Sequence, residues 1–553
     1  MRQLIECVPN FSEGRDMSII EKIKAEIESV EGVRLLNVDP GKATNRTVVT
    51  FVGNPKAVVE AAFRAIKKAG ELIDMSKHKG EHPRMGATDV CPLIPVANIT
   101  MGETVEWAQR LAERVGRELT LPVYLYEEAQ VDKSRSNLSV IRAGEYEGFF
   151  NKINEFKPDF GPAVFDAKRG ATVIGARDFL VAYNVNLNTT SVRRANAIAF
   201  DVREAGRKIK VKVEDKGEVE KVMPGSLKCV KAIGWFIEEY GIAQISINLT
   251  NINITPVHIA FDEVCKKADA RGIRVTGSEL VGLIPLKAML DAGKYFLKKQ
   301  KRSVGVSEKE LVRIAILSMG LDELAPFKPE EKIIEYMLHD KNDSRLVSMP
   351  LNDFADETAS ESPAPGGGSI AAYIGSLGVS LATMVANLSS HKKGWDERWE
   401  EFSNWAEKGQ QFKDELLRLV DADTKAFNGI MHAMSLPKGT DEEKAARSQA
   451  LNAATKVAIE VPFRVMQLSY DSMEVIKAMA EVGNPNSVSD AGVGALCARS
   501  AVMGAFMNVR INASGYDDAL FVDEVLQSGR EIEAKAKAKE EEILKVVNEK
   551  IGV

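Results

Sequence analysis

Residues 33–69 read VRLLNVDPGKATNRTVVTFVGNPKAVVEAAFRAIKKA. Val33 to Val38 reads as a strand, Asp39 to Asn45 (DPGKATN) is turn chemistry, and Arg46 to Val52 carries β-branched residues in a row, so two strands joined by a loop are expected. Pro55 then sits in the first turn of a helix running to about Ala69, with Val59, Phe63 and Ile66 on one face. Upstream, Leu4 to Val8 is a short strand and Asn10 to Arg15 a polar loop. From Met17, Ile19, Ile23, Ile27 and Val30 recur at helical spacing until Gly32 stops them. Downstream, Val90 to Val96 is a fourth strand. The order βαββαβ is that of a ferredoxin-like split βαβ unit, whose helices cover one sheet face and leave the other free to pack or bind.

A helix near Glu103 to Leu119 and a strand at Pro122 to Tyr126 extend this unit, and Gly161 to Asp178 reads as a long glycine-containing loop of the kind that carries function. From Phe179 the order starts again: strand to Leu187, helix Thr190 to Ala205, strands Cys229 to Ile237 and Ile242 to Leu249, helix Pro256 to Arg271, strand Ile273 to Thr276. An α+β N-terminal part with two ferredoxin-like subdomains, 1–178 and 179–327, is therefore expected, with a small-molecule cleft between them. Asn184, Asn186, Gln244, Asn248 and Asn251 on its strands face either solvent or a ligand with mixed donor and acceptor edges, as pterins have. Composition changes after Pro326; residues 328–345 read as a linker and 346–553 as an all-α domain rich in helix formers. Ser362 to Ser390 carries no charge, yet its Gly, Ala and Ser content predicts a helix buried on all sides by other helices rather than a membrane span.

With net charge −6 over 553 residues there is no basic excess for nucleic acid, so polyanion binding could only be local. Five scattered cysteines give neither a disulfide frame nor a C-x-x-C metal site, which suits a reducing cytoplasm, and no export signal is visible in MRQLIECVPNFSEGRD. A cytoplasmic location is expected.

The loop before the fourth strand, His78 to Pro92 (HKGEHPRMGATDVCP), holds two of the six histidines. Its HKGEH string fits H-x-x-E-H, but zinc chemistry needs both histidines on one helix face, and Gly80 and Pro83 break such a helix. A histidine carrying a proton is the better reading. In the last third, Gly366, Gly367 and Gly368 follow no strand, so they are no dinucleotide fingerprint; they make either a helix N-terminus open to a carboxylate or phosphate, or a plain start to a helix. Asp423 stands one helical turn from Phe427, so it is either an exposed aspartate or a carboxyl raised by burial and able to act as an acid. Asn508 and Asn512 likewise share one face.

Glu6 to Arg15 (ECVPNFSEGR), the Asp39 and Asn45 segment, the histidine loop, Gly170 to Arg177 (GATVIGAR) and Gly277 to Pro285 (GSELVGLIP) resemble glutamate formiminotransferase. Ser362 to Ser369 (SPAPGGGS), Asp421-x-Asp423-x-x-Ala426-Phe427 and Asn508-x-x-x-Asn512 resemble the formiminotetrahydrofolate cyclodeaminases, and the order is that of the bifunctional formiminotransferase-cyclodeaminase family. The resemblance implies transfer of a formimino group from N-formimino-L-glutamate to tetrahydrofolate, then ring closure to 5,10-methenyltetrahydrofolate with loss of ammonia. It implies His82 as proton carrier, His78 as an orienting residue, and Arg84 or Arg177 as holder of a glutamate carboxylate. Folate would lie on Ala163, Val164, Phe165, Asp166, Ala167, Lys168, Arg169, Gly170, Ala171 and Thr172. In the last third Asp423 would be the acid, with Asp421 in reserve, beside the Gly366 to Gly368 loop. Polyglutamylated tetrahydrofolate is the implied co-substrate, with no metal or nicotinamide. Helical dimers assembled into a larger homo-oligomer are implied too, and Lys392 with Lys393, or Lys298, Lys299, Lys301 and Arg302, are candidates for a groove that holds the tail. The rivals are a formyl donor, exchanging formyl between 5-formyltetrahydrofolate and glutamate, and a non-catalytic folate-binding scaffold.

Overall fold

The computed structural model describes residues 3–41, 45–80, 84–213, 217–338 and 346–552. By its contacts the chain divides into two units, Met1–Ala288 with Met319–Leu338, and Met289–Ser318 with His339–Val553.

The first unit opens with β1 (Leu4–Cys7), β2 (Asn10–Phe11), α1 (Met17–Glu28), β3 (Val33–Gly41), β4 (Arg46–Gly53), α2 (Pro55–Leu72), β5 (Thr88–Ala97), α3 (Met101–Glu118), β6 (Val123–Glu127), α4 (Leu138–Ile141), α5 (Glu145–Glu155) and β7 (Thr172–Ala176). The helices start where side chains can take orphan backbone N–H groups: Asp16, Asn54 and Thr100 cap α1, α2 and α3. Along the sheet lie β3, β4, then β1 and β2 end to end, β5, β7 and β6. The pairings up to β5 are antiparallel, whereas β7 runs parallel to both β5 and β6. Alternation sorts the faces. Ile5, Cys7, Val49, Phe51, Cys91 and Leu93 join Ile23, Ile27, Val58 and Leu111 in one core, while Val90, Tyr124, Tyr126 and Val173 join Ile141, Phe149 and Ile153 in another.

The stretch expected to be a loop from Gly161 to Asp178 contains a strand: Thr172–Ala176 is fully buried in the sheet. Glycine hid it, because Gly175 stands where a Cβ would lie 2.3 Å from the Tyr126 carbonyl oxygen.

On the opposite side of β1 from Ile5 and Cys7, Glu6 is 3% exposed, and burial pushes its carboxyl from 4.5 to about 7 although the Arg177 charge opposes the shift. A raised carboxyl favours the protonated folded state, so this group's contribution to stability is greatest below about pH 4.5 and is lost as pH rises through about 7. Glu6→Gln is therefore expected to raise the melting temperature at pH 8, by the equivalent of roughly 3 kcal/mol, and to leave it nearly unchanged at pH 5. Thermal unfolding of both proteins at the two pH values checks this; equal shifts would remove Glu6 as the titrating group.

The second sheet comprises β8 (Val181–Leu187), β11 (Val230–Ile237), β12 (Ile242–Leu249) and β13 (Val275–Val281) in the antiparallel order β11-β12-β8-β13, with α6 (Val192–Val202) and α7 (Val257–Asp269) as its connecting helices. Between α6 and β11, β9 (Arg207–Val213) and β10 (Gly217–Met223) form a separate hairpin beyond the expected strands, where Lys alternating with Ile and Val is a period-2 signal. Two short turns of helix, α10 (Pro329–Lys332) and α11 (Ile334–Met337), flank the buried Ile333, which bridges to Ile284.

The second unit is helical. It contains most of α8 (Leu286–Lys299) and of α9 (Glu308–Met319), then α12 (Leu351–Ala359), α13 (Gly367–Ser390), α14 (Trp399–Ser435), α15 (Asp441–Val482), α16 (Val488–Ala513) and α17 (Ala519–Ile551). Asn387 and Gln410 both donate to the Gly305 carbonyl, at 2.8 and 3.1 Å, which ties the α8 to α9 connection to the bundle. α13 is packed by α14, α15 and α16. Its small residues permit the approach: a Cβ on Gly378 would lie 2.8 Å from the Gly494 carbonyl oxygen of α16. The α13 helix and residues Pro485–Ala513 are long and apolar enough to cross a membrane, with mean hydropathy 1.6 and 1.3, but 61% and 50% of these windows are buried within the protein. α13 is not enclosed on every side as expected, since Leu377, Met384 and Leu388 are exposed along one stripe.

Candidate functional sites

The histidine loop begins where Asp74 caps a short 3-10 turn at Met75–Lys77. His82 lies outside the described residues, as do Glu81 and Pro83; His78, Lys79, Gly80 and Arg84 flank them. His78 Nε2 lies 2.9 Å from the Asn45 carbonyl oxygen and its Nδ1 accepts from Arg84 Nε at 3.2 Å. An oxygen at Nε2 and a donor at Nδ1 fix the neutral Nε2–H tautomer. Burial, the largest influence, pulls the imidazole below its usual range, and the Arg84 charge pulls the same way. His78 is thus an uncharged strut. Arg84 is 7% exposed and grips Glu147 through two parallel bonds, Nη1 at 2.9 Å and Nη2 at 2.6 Å, with Glu145 at 3.1 Å from Nη1. That leaves its fork committed within the protein. Arg84, Lys79, Gly80, Gly144, Glu145 and Glu147 line a cavity of about 470 Å³.

Other sequence motifs converge here. Asn45 accepts the Gly14 N–H at 3.0 Å and donates to the Lys79 carbonyl at 3.1 Å, and Thr47 donates to the Glu13 carbonyl at 2.5 Å. The segment expected to hold folate crosses the same loop. Met75 N–H donates to the Lys168 carbonyl and Ala87 N–H to the Arg169 carbonyl, both at 2.8 Å, and Ala171 N–H to the Met85 carbonyl at 3.1 Å. Gly86 and Gly170 meet where neither can bear a Cβ: each would lie 2.2 Å from a backbone oxygen of the other segment. Within that segment Ala163, Val164, Ala167 and Lys168 are exposed, and Phe165 packs on Tyr146, Phe149 and Phe150 with ring centroids 5.6 to 6.1 Å apart. Asp166 pairs with Arg169 at 2.6 Å. Ala171 and Thr172 turn wholly inward at 0% exposure, so their side chains face core rather than cavity. Arg177 is half-buried at the end of β7, its Nη1 donating to the Asp178 carbonyl at 2.9 Å.

On the second sheet the polar strand residues divide. Asn184, Asn186 and Gln244 are buried and linked to Glu279, Glu323 and Trp235, whereas Asn248 is exposed. Asn251 bonds Asp178.

In the helical unit Gly366 is the N-cap of α13, and the Asp423 carboxylate from α14 sits against this helix start. Ser369 donates to it through Oγ at 3.0 Å and through its backbone N–H. Those bonds lower the carboxyl, but burial is the larger influence and leaves it above the ordinary aspartate value. An acid that stays protonated longer, beside the exposed apolar Phe427 and Met431, is equipped to give a proton to a bound leaving group. Asp421 points elsewhere: its Oδ1 accepts the Leu346 N–H at 2.8 Å. Asn508 donates to the Gly504 carbonyl and stands over Gly367, while Asn512 donates to the Ala458 carbonyl at 2.7 Å. Gly368 makes this contact possible, for a Cβ there would lie 2.1 Å from Asp423 Oδ1. Gly368→Ala is expected to push the carboxyl off the helix start and reduce turnover at this site about a hundredfold. Turnover measured for this variant checks it, and a near-normal rate would mean that the carboxyl tolerates displacement. Ser369 is a contact that sequence reading missed, although it closes the same glycine string. Among the described residues no cluster of three or more His, Cys, Asp or Glu side chains could hold a metal ion.

The two polar centres lie on two separately packed units. Sequence profiles agree along the chain: the formiminotransferase domain, N-terminal subdomain, matches residues 4–177, the formiminotransferase domain residues 182–339, and formiminotransferase-cyclodeaminase residues 350–531. Formimidoyltransferase-cyclodeaminase of Gallus gallus is 46% identical over 530 residues, 95% of each chain. Glutamate formimidoyltransferase of Streptococcus pyogenes serotype M1 is 40% identical over 300 residues, 54% of this chain and 94% of that one. Methenyltetrahydrofolate cyclohydrolase of Methylorubrum extorquens is 37% identical over 202 residues, 36% of this chain and 97% of that one. The chain belongs to the formimidoyltransferase-cyclodeaminase family.

Proposed function

We propose that the protein transfers the formimino group of N-formimino-L-glutamate to nitrogen-5 of tetrahydrofolate and then closes the product to 5,10-methenyltetrahydrofolate, releasing ammonia. The observation that carries this is the match of both halves, in order, to a bifunctional relative over 95% of each chain. In the first step the nitrogen-5 amine attacks the amidine carbon, and the bond to the glutamate nitrogen breaks as that nitrogen takes a proton. His82 takes the first proton and returns the second. The 163–170 segment and the aromatic group around Phe165 hold the folate across the histidine loop. Arg177 is the arginine left to meet a glutamate carboxylate, because Arg84 is taken by Glu145 and Glu147. In the second step nitrogen-10 attacks the same carbon, and Asp423 protonates the departing ammonia. A relative named for acting on methenyltetrahydrofolate matches this half, which supports a pocket shaped for that ring-closed product.

The strand order β11-β12-β8-β13, and the same order of β3, β4, β1 with β2, and β5, support two ferredoxin-like subdomains. Functional limits at 1–178, 179–327 and 346–553, with 328–345 between, are part of the same reading; their starts and the limit at 178 lie within a few residues of the matched segments, whereas the matches end at 339 and 531 rather than at 327 and 553. Assembly through dimers of a cytoplasmic protein is part of the same reading; the exposed stripe of α13 with Val493 and Leu496 of α16 offers the apolar face. Steady-state rates with formiminoglutamate and formylglutamate test the donor: turnover of the former is expected, and turnover of formylglutamate alone would overturn the reading.

A further inference from the structure

The helix-free face of the second sheet carries a polar network without an assigned role. In the ladder, Trp235, Gln244, Asn186 and Gly277 stand in one row, and Asn184 and Glu279 in the next. Asn184, Asn186 and Gln244 are 5%, 0% and 1% exposed, far too buried for outward strand positions that merely meet water. They are locked to one another: Gln244 Nε2 donates to Asn186 Oδ1 at 2.8 Å, Asn186 Nδ2 to Glu323 at 2.5 Å, Asn184 Nδ2 to Glu279 Oε2 at 3.2 Å, and Trp235 Nε1 to Gln244 Oε1 at 3.1 Å. Such a network holds its members in one geometry. Both amide donors near Glu279 converge on its Oε2, and its Oε1 has no hydrogen bond among the described residues. Trp235 remains 38% exposed at the edge, with part of its ring open to stack.

A fixed carboxylate with one unused oxygen, backed by amides and flanked by an aromatic ring, suits a flat heterocycle whose edge donates hydrogen bonds. It repels anions, so neither formiminoglutamate, which bears two carboxylates, nor a polyglutamate tail fits it. We propose that this face binds the pteridine ring of tetrahydrofolate, with Glu279 accepting from the N3–H and 2-amino edge and Trp235 stacking on the ring. The proposal rests on the reading of the first unit as a tetrahydrofolate-dependent transferase.

The test uses the full-length protein. Glu279→Gln keeps an acceptor for Asn184 and removes the anion. At saturating formiminoglutamate it should raise the KM for tetrahydrofolate about tenfold or more, while the KM for formiminoglutamate changes by less than about twofold. A tetrahydrofolate analogue with a methyl in place of the 2-amino group should lose a similar factor on wild type and little more on Glu279→Gln. Trp235→Leu should also raise the KM for tetrahydrofolate, and Trp235→Phe should restore most of it. An unchanged KM for tetrahydrofolate in Glu279→Gln, or losses from variant and analogue that simply multiply, would overturn the proposal. Should wild type fail to turn over formiminoglutamate, the proposed function falls. Titration with 5-formyltetrahydrofolate then still decides this inference: Glu279→Gln should lose one class of site, and retention of every site would refute it.

Discussion

Asp423→Asn is expected to stop the second reaction almost completely while leaving the first intact, so that 5-formiminotetrahydrofolate accumulates from formiminoglutamate and tetrahydrofolate. Loss of a positioned acid typically slows proton transfer by about 10² to 10⁴-fold. Asparagine fills the same space and can still accept from Ser369, so the loss reads chemistry rather than collapse of the α13 start. Because burial holds the Asp423 carboxyl above its ordinary value, the wild-type cyclisation rate should fall as pH rises through that titration, and the residual rate of the asparagine variant should lack that limb. Asp421→Asn is the contrast. It weakens an acceptor for the Leu346 N–H, a change of about 1 kcal/mol in stability with little change in rate. A cyclisation rate near wild type in Asp423→Asn would remove Asp423 from its role.

His82→Ala should lower the transferase rate by about 10² to 10⁴-fold, and added 5-formiminotetrahydrofolate should still be cyclised at the normal rate. His78 has both ring nitrogens engaged, one at the Asn45 carbonyl and one with Arg84, and burial keeps it neutral. To carry a proton it would have to release one of those bonds. His78→Asn is therefore expected to disturb the loop, seen as lower thermal stability and a raised KM, and to leave the pH profile of the transferase in place. Equal pH profiles for wild type and His82→Ala would show that the proton moves through another group.

The β-branched runs at Arg46–Gly53 and Ile242–Leu249 were legible because strand periodicity is local. Thr172–Ala176 was not, since its glycine is demanded by Tyr126, some fifty positions earlier in sequence. The choice between Asp421 and Asp423 was equally closed to sequence. Both lie on α14, and only the packing of its two sides against Leu346 and the start of α13 separates them. Arg84 looked free for a substrate because its partners, Glu145 and Glu147, belong to a helix sixty residues away. The convergence of Asn45, Glu13, His78 and the 163–170 segment, by contrast, was foreshadowed by motifs, though not by any spacing between them.

The most direct measurement is the absorbance of 5,10-methenyltetrahydrofolate together with ammonia release when the wild-type protein is given formiminoglutamate and tetrahydrofolate. One methenyl product and one ammonia per formiminoglutamate consumed is the predicted result. Consumption without either product, or no consumption at all, would contradict a chain that performs both reactions.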